Sequence, residues 1–276
     1  MKQRTDTIYI GYDQREDLAY DVLVESIKRN TSDKFNIVPI IQNRLRVSGL
    51  YSRGFTLKGN QKYDYIDGRP FSTDFSFSRF LVPILNQFQG WALFMDCDMF
   101  IRSNIGEVFD LAKTYPEKAL WCVKHDYNPK ETIKMDGQIQ ERYSRKNWSS
   151  FVMWNCEHQD NFNLTVGDVN TKSGRWLHNF MWLGEIALED DKVMSEYPEL
   201  QSKFFSKIGE DLIGELDVEW NWLDGHSSEL IDAKNVHFTT GGPWFDMWKP
   251  SQDVEHGYVE EWRKIAKDIQ MEEVMG

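Results

Sequence analysis

Two carboxylates one residue apart, Asp96 and Asp98, flank Cys97 at the end of the apolar run Trp91-Ala92-Leu93-Phe94-Met95. Carboxylate oxygens suit hard divalent cations such as Mn2+ or Mg2+. A run of this length and composition after Gly90 reads as a buried strand, so the carboxylates emerge at its C-terminal edge, where open α/β sheets bind ligands. The chemistry this predicts is a nucleotide diphosphate held through a divalent cation. Aspartates are equally at home capping a turn or a helix, and the motif alone does not choose between the two roles.

The surrounding elements must hold that edge in place. Ile8 to Tyr12 is strand-like, and Asp17 to Arg29 carries Leu18, Val22, Leu23 and Ile27 at helical spacing. A second strand is expected at Phe35 to Ile41. Arg44 to Thr73 is polar and rich in Gly and Tyr, a long excursion of the kind that carries function or mobility. Phe75 to Phe88 is expected to be a helix kinked at Pro83, leading into the strand that ends at Asp96. A helix follows at Ile105 to Lys113, then strands at Ala119 to Val123 and Phe151 to Asn155. Helical spacing returns near Trp176, Phe180 and Leu183, and from Glu255 to Met271. Strands alternating with helices over the first 125 residues predict an α/β fold with a mainly parallel sheet flanked by helices.

Composition narrows the function. A formal charge of -12 argues against nucleic acid or an anionic membrane as partner, since both call for basic surface. The charge is uneven. Gln42 to Tyr63 holds Arg44, Arg46, Arg53, Lys58 and Lys62 with no acid, a basic loop that could close over phosphates or simply be solvated. Cys97, Cys122 and Cys156 are too few and scattered for a disulfide framework or zinc site and point to a reducing compartment. No apolar stretch reaches the roughly 18–20 residues of a membrane span, and Met1 to Asp6 carries no signal-like apolar core, so the expected location is cytoplasmic. Eight of the eleven tryptophans lie from Trp148 to Trp248. Such rings stack on sugars, although most large aromatics belong to the core.

Four segments carry a resemblance to a known family. They are Tyr9-Ile10-Gly11-Tyr12-Asp13, Phe77-Ser78-Arg79-Phe80-Leu81-Val82-Pro83, Leu93 to Asp98, and Val236-His237-Phe238-Thr239-Thr240-Gly241-Gly242-Pro243-Trp244. Together they resemble the GT-A-type nucleotide-sugar glycosyltransferases, in particular glycosyltransferase family 8 and its bacterial and phage relatives. The resemblance implies a GT-A (Rossmann-like) sheet in a single domain over 1–276, with a nucleotide-binding half at 1–125, an acceptor and metal-completing half at 126–250, irregular and rich in aromatics, and a last helix at 251–276. It implies donor contacts from Gly11, Tyr12, Asp13, Arg79, Asp96, Cys97, Asp98, Gly241 and Gly242, and a Mn2+ or Mg2+ site formed by Asp96, Asp98 and His237. The implied reaction moves a hexose from a nucleotide diphosphate sugar, a UDP-sugar being favoured, to a hydroxyl acceptor such as a glycan, with retention of anomeric configuration.

The fourth segment departs from the family pattern H-F-x-G-x-x-K-P-W. Gly242 stands where the lysine is expected and Thr240 where the glycine is. Lys249, Arg79 or the basic residues between Arg44 and Lys62 are candidate substitutes. Ser149 and Ser150 fall near the place where the family presents small polar residues to the donor sugar. Lys124-His125-Asp126 follows another strand end and either faces the acceptor or only ends the strand. Asp190 and Asp191 sit in an acidic run that reads as a solvated helix end. Two rival readings remain. A haloacid-dehalogenase-type phosphatase would want Thr or Val at the position of Phe100 and its motif near the N-terminus. A catalytically inactive sugar-nucleotide- or glycan-binding relative fits the missing lysine but not the intact Asp96, Asp98 and His237.

Overall fold

The structure is a computed structural model and describes residues 6–126, 145–184, 209–227, 232–246, 248 and 257–275. Strand β1 (Thr7–Gly11) is buried along its whole length. Helix α1 (Asp17–Asn30) follows, burying Ala19, Val22, Leu23 and Ile27 on one face. Strand β2 (Asn36–Ile40) then pairs with β1 in parallel. Helix α2 (Gln42–Val47) leads into a small antiparallel sheet of β3 (Phe55–Lys58), β4 (Gln61–Asp64) and β5 (Pro70–Phe71). The polar excursion of the sequence is therefore a structured flap of sheet.

A 3-10 turn at Ser78–Leu81 runs into the short helix α3 (Val82–Leu85), and the long kinked helix expected at Phe75 to Phe88 does not form. Pro83 lies in the first turn of α3, where its fixed φ and missing N–H cost nothing. Gln87 and Phe88 adopt left-handed φ of 55° and 51° and stop the helix. Strand β6 (Trp91–Met95) pairs in parallel with β1 and antiparallel with β9 (Phe151–Asn155). Between them in sequence come β7 (Met99–Ile101), α4 (Gly106–Lys113) and β8 (Leu120–Cys122). Helices α5 (Val166–Thr171) and α6 (Gly174–His178) follow. The helical spacing at Trp176, Phe180 and Leu183 is broken at Phe180, whose φ of 56° separates α6 from a 3-10 turn at Met181–Leu183.

Strand β10 (Ile213–Glu215) completes a six-stranded sheet in the order β10-β8-β9-β6-β1-β2. Pairing is parallel between β10 and β8 and across β6-β1-β2, and antiparallel on both sides of β9. A second sheet joins β11 (Trp222–Leu223), β12 (Asn235–His237) and β7. The last helix, Gly257–Met275, sends Tyr258, Val259, Trp262 and Ile265 into a core with Val22 of α1, Phe100 of β7 and Val236 of β12. No described helix is long and apolar enough to cross a membrane.

Two features place the candidate residues. The chain leaves the large sheet at Met95 and joins the second at Met99, so Asp96, Cys97 and Asp98 occupy the joint between sheets. Strand β12 pairs antiparallel with β7 so that His237 stands opposite Met99, and the Phe238 amide donates to the Asp98 carbonyl at 2.9 Å. That register carries a residue 139 positions away to the aspartates.

Candidate functional site

Asp96, Asp98 and His237 are all buried, and each offers one ligand atom lying within 4.8 Å of the other two. His237 Nε2 lies 3.2 Å from Asp98 Oδ1, and Arg79 Nη1 lies 2.8 Å from Asp96 Oδ1. The Asp96 amide donates to the Ser150 carbonyl at 2.9 Å, which extends the β6–β9 pairing by one step and fixes the backbone under the carboxylate. Two carboxylate oxygens and one imidazole nitrogen are a donor set that accepts Mn2+ or Mg2+.

These groups form the floor of an open cleft with about 980 Å³ of space, solvent included. Four cationic side chains line it, Arg69, Arg79, Lys146 and Arg175, against the carboxylates of Asp67, Asp96 and Asp98. The Asp67 carboxylate accepts the amides of Arg69 at 3.0 Å and Gly174 at 2.9 Å, tying the flap to α6 at the rim. Beneath the rim, Arg53 and Asp64 form a buried ion pair at 2.5 Å. Arg53 also donates to the carbonyls of Val169 and Lys172 and lies 4.0 Å from the centre of the Phe77 ring. Phe77 in turn lines the cleft.

The sequence did not single out His178, which also lines the cleft and pairs through Nδ1 with Ser149 Oγ at 2.7 Å. Burial, followed by the charges of Arg79, Lys146 and Arg53, holds its pKa well below the ordinary histidine value, so the imidazole is neutral. Ser149 is pinned a second time through its carbonyl, which accepts from Arg79 Nη1 at 2.9 Å.

The sequence-derived candidates divide into those that converge and those that do not. Arg79, Asp96, Asp98 and His237 meet in the cleft, joined by Ser149 and Ser150. Gly11 ends β1 against Phe75, and a Cβ there would stand 2.4 Å from the ring. Arg79 lies 5.3 Å from the centre of that same ring. The Tyr12 hydroxyl donates to Asp17 at 2.6 Å, which with burial pushes its pKa up to about 12. Asp13 is buried. Burial opposes its charge, but hydrogen bonds from Arg15 outweigh that and hold its carboxyl below the usual range. Asp13 also accepts the Asp74 amide at 3.1 Å, bracing the loop that carries Ser72 and Thr73 into the cleft wall.

Cys97 points away from the cleft. Its thiol donates to Glu16 Oε2 at 3.2 Å, and burial followed by the charge of Glu16 pushes its pKa far up. Gly241 has a φ of 108°, and a Cβ on Gly242 would stand 2.0 Å from the Trp244 ring, which leaves no room for a side chain at the family's lysine position. Of the candidate substitutes, Arg79 lies in the cleft. None of Arg44, Arg46, Arg53, Lys58 and Lys62 lines it, and Lys249 lies outside the described residues, as do Asp190 and Asp191. His125 ends the β8 segment partly buried, and burial, followed by the charge of His237, lowers its pKa to about 4. The three cysteines are free and buried.

No family model matches the chain. Protein CDI of Arabidopsis thaliana is 42% identical over 267 residues, covering 94% of this chain and 88% of that protein. The chain belongs to the Protein CDI family. Solved structures similar to this family member include the galactosyltransferase LgtC in complex with donor and acceptor sugar analogues, at a TM-score of 0.48 and 12% identity over 95% of each chain. Another is the bifunctional glycosyltransferase WbbM, at a TM-score of 0.45 and 13% identity. That match covers 95% of this chain and 51% of WbbM, so the chain spans about half of WbbM's length.

Proposed function

We infer that this Protein CDI family member is a metal-dependent glycosyltransferase that moves a hexose from a nucleotide diphosphate sugar, with UDP-sugars favoured, to a hydroxyl acceptor such as a glycan. The observation that carries the reading is the convergence of Asp96, Asp98 and His237 from two sheets onto the floor of a cleft lined by four cations, in a chain of net charge -12. A diphosphate is the anion this combination suits best, because a divalent cation and a guanidinium neutralise it together.

In this reading Asp96, Asp98 and His237 hold Mn2+ or Mg2+, which when bound acts as a Lewis acid on the charge that develops on the leaving diphosphate. Arg79, already against Asp96 and the Ser149 carbonyl, supplies the positive charge that the family's lysine would give. Lys146 and Arg175 extend that field along the cleft. Ser149 and Ser150 offer hydroxyls to the transferred sugar. Transfer proceeds with retention, as the family resemblance implies.

The test is turnover of UDP-hexoses with Mn2+ by the wild type and by Asp96→Asn. Removal of a neighbour of a metal ligand costs about 10–100-fold in affinity or activity, and loss of a ligand itself is expected to lower turnover by at least ~100-fold. Unchanged turnover in the variant would remove the metal from the mechanism. The reading as a non-catalytic sugar-nucleotide binder draws on one observation, the closed position at Gly242. It predicts metal-dependent UDP binding with no transfer to any acceptor and no hydrolysis.

A further inference from the structure

Around His237 the direction of each hydrogen bond follows from the one before. Ser150 Oγ donates to the Asn147 carbonyl at 2.7 Å, which uses the single proton of that hydroxyl. Asn221 Nδ2 lies 3.0 Å from Ser150 Oγ and 3.3 Å from the same Asn147 carbonyl. Facing one oxygen whose proton is spent and another that never has one, this end of the Asn221 side chain is the NH2 group. The other end, Oδ1, can only accept, and it lies 2.9 Å from His237 Nδ1. Asn221 is wholly buried, and Ser150 and His237 are 2% and 3% exposed, so water does not readily replace these contacts.

We propose that Asn221 is a positioning residue that locks His237 as the Nδ1–H tautomer and thereby turns the Nε2 lone pair toward Asp98 as a cation ligand. The alternative tautomer would set the Asn221 oxygen against an unprotonated Nδ1, two acceptors in contact inside the protein, which is costly where neither is solvated. With Nδ1 protonated, Nε2 of the neutral ring and Asp98 Oδ1 face each other at 3.2 Å as two lone-pair donors, an arrangement that a cation between them relieves. Ligating histidines are commonly oriented by a partner on the opposite ring nitrogen. Here the orientation originates in the turn Asn147 to Ser150, whose residues 147, 149 and 150 line the cleft, so the relay couples the shape of the cleft floor to the ligand. The proposal deepens the metal-site part of the function inferred above and rests on it.

The test reads the tautomer directly. Long-range 1H–15N correlation spectra of the metal-free wild type at alkaline pH, with His237 assigned by its loss in His237→Gln, are expected to show the Nδ1–H form. Asn221→Leu, which keeps the volume but has no acceptor, is expected to lose that preference and to bind Mn2+ about 10–100-fold more weakly in a direct titration. Asn221→Asp keeps an acceptor in place and is expected to retain the Nδ1–H form. An Nε2–H form in the wild type overturns the proposal whether or not the variants fold, and so do identical tautomer populations in the wild type and Asn221→Leu. An Nδ1–H form in a protein that binds no Mn2+ leaves the lock standing and overturns the metal-site reading instead.

Discussion

At the cleft floor Asp96 faces a guanidinium and Asp98 faces the His237 imidazole. Arg79 sits 2.8 Å from Asp96, with both side chains largely buried. Breaking a buried pair by removing one partner costs about 3–5 kcal/mol, since it strands the other charge. Arg79→Met is therefore expected to lower the free energy of unfolding by about 3 kcal/mol at pH 7 in urea titration, and added Mn2+ is expected to recover more of the loss than it adds to the wild type. Equal Mn2+ effects in both proteins would contradict the idea that cation and guanidinium share Asp96. His125 gives a pH prediction. Its folded pKa of about 4 lies below the ordinary value near 6.5, so the unfolded chain takes up the proton first. Stability from this residue is complete above about pH 6.5 and falls as pH drops from there toward 4. His125→Phe should flatten that part of the profile in urea unfolding at pH 7 and pH 5; an unchanged slope would refute the assignment. At this scale the aspartate pair was legible as two carboxylates closing an apolar run, and His237 only through the resemblance carried by Val236 to Trp244. His178 was not, because a lone histidine between Trp176 and Phe180 is read from sequence as part of a helix face.

The elements differ in how strongly the sequence dictated them. Strand β6 and helix α1 follow from continuous burial and from 3.6-residue spacing, and both appear with nearly the expected bounds. The flap β3-β4-β5 could not be read, because its strands are only two to four residues long, too short for alternation to mark a buried face. Strand β7 and its partners β11 and β12 are two or three residues long, too short for periodicity to register. They nevertheless bring His237 to Asp98. The flap is anchored from beneath by Arg53 and Asp64, each 1% exposed in its side chain. Asp64→Asn is expected to cost about 3 kcal/mol and, since Arg53 also holds Phe77 and α5, to weaken UDP-sugar binding along with stability. A stability loss with unaltered binding would separate the flap from the cleft. The sequence left the basic residues of Arg44 to Lys62 as a loop that closes over phosphates or is simply solvated; none of the five lines the cleft, and Arg53 and Lys62 pair with Asp64 and Asp74.

Over the whole molecule, the cleft sits where two sheets share one segment of chain, and that joint explains why Asp96, Asp98 and His237 converge without a contiguous motif. The net negative charge of the chain and the cations lining the cleft act in opposite directions on an incoming anion, so association of an anion with the cleft depends on local rather than net charge. The account turns on a cation shared between protein and diphosphate. The most direct measurement is calorimetric titration of UDP into the wild-type protein with Mn2+ and, separately, with EDTA. The account predicts saturable binding with Mn2+ and loss of at least ~10-fold in affinity with EDTA, given the metal's part in neutralising the phosphates. Equal affinity in both, or no binding of UDP in either, would contradict it.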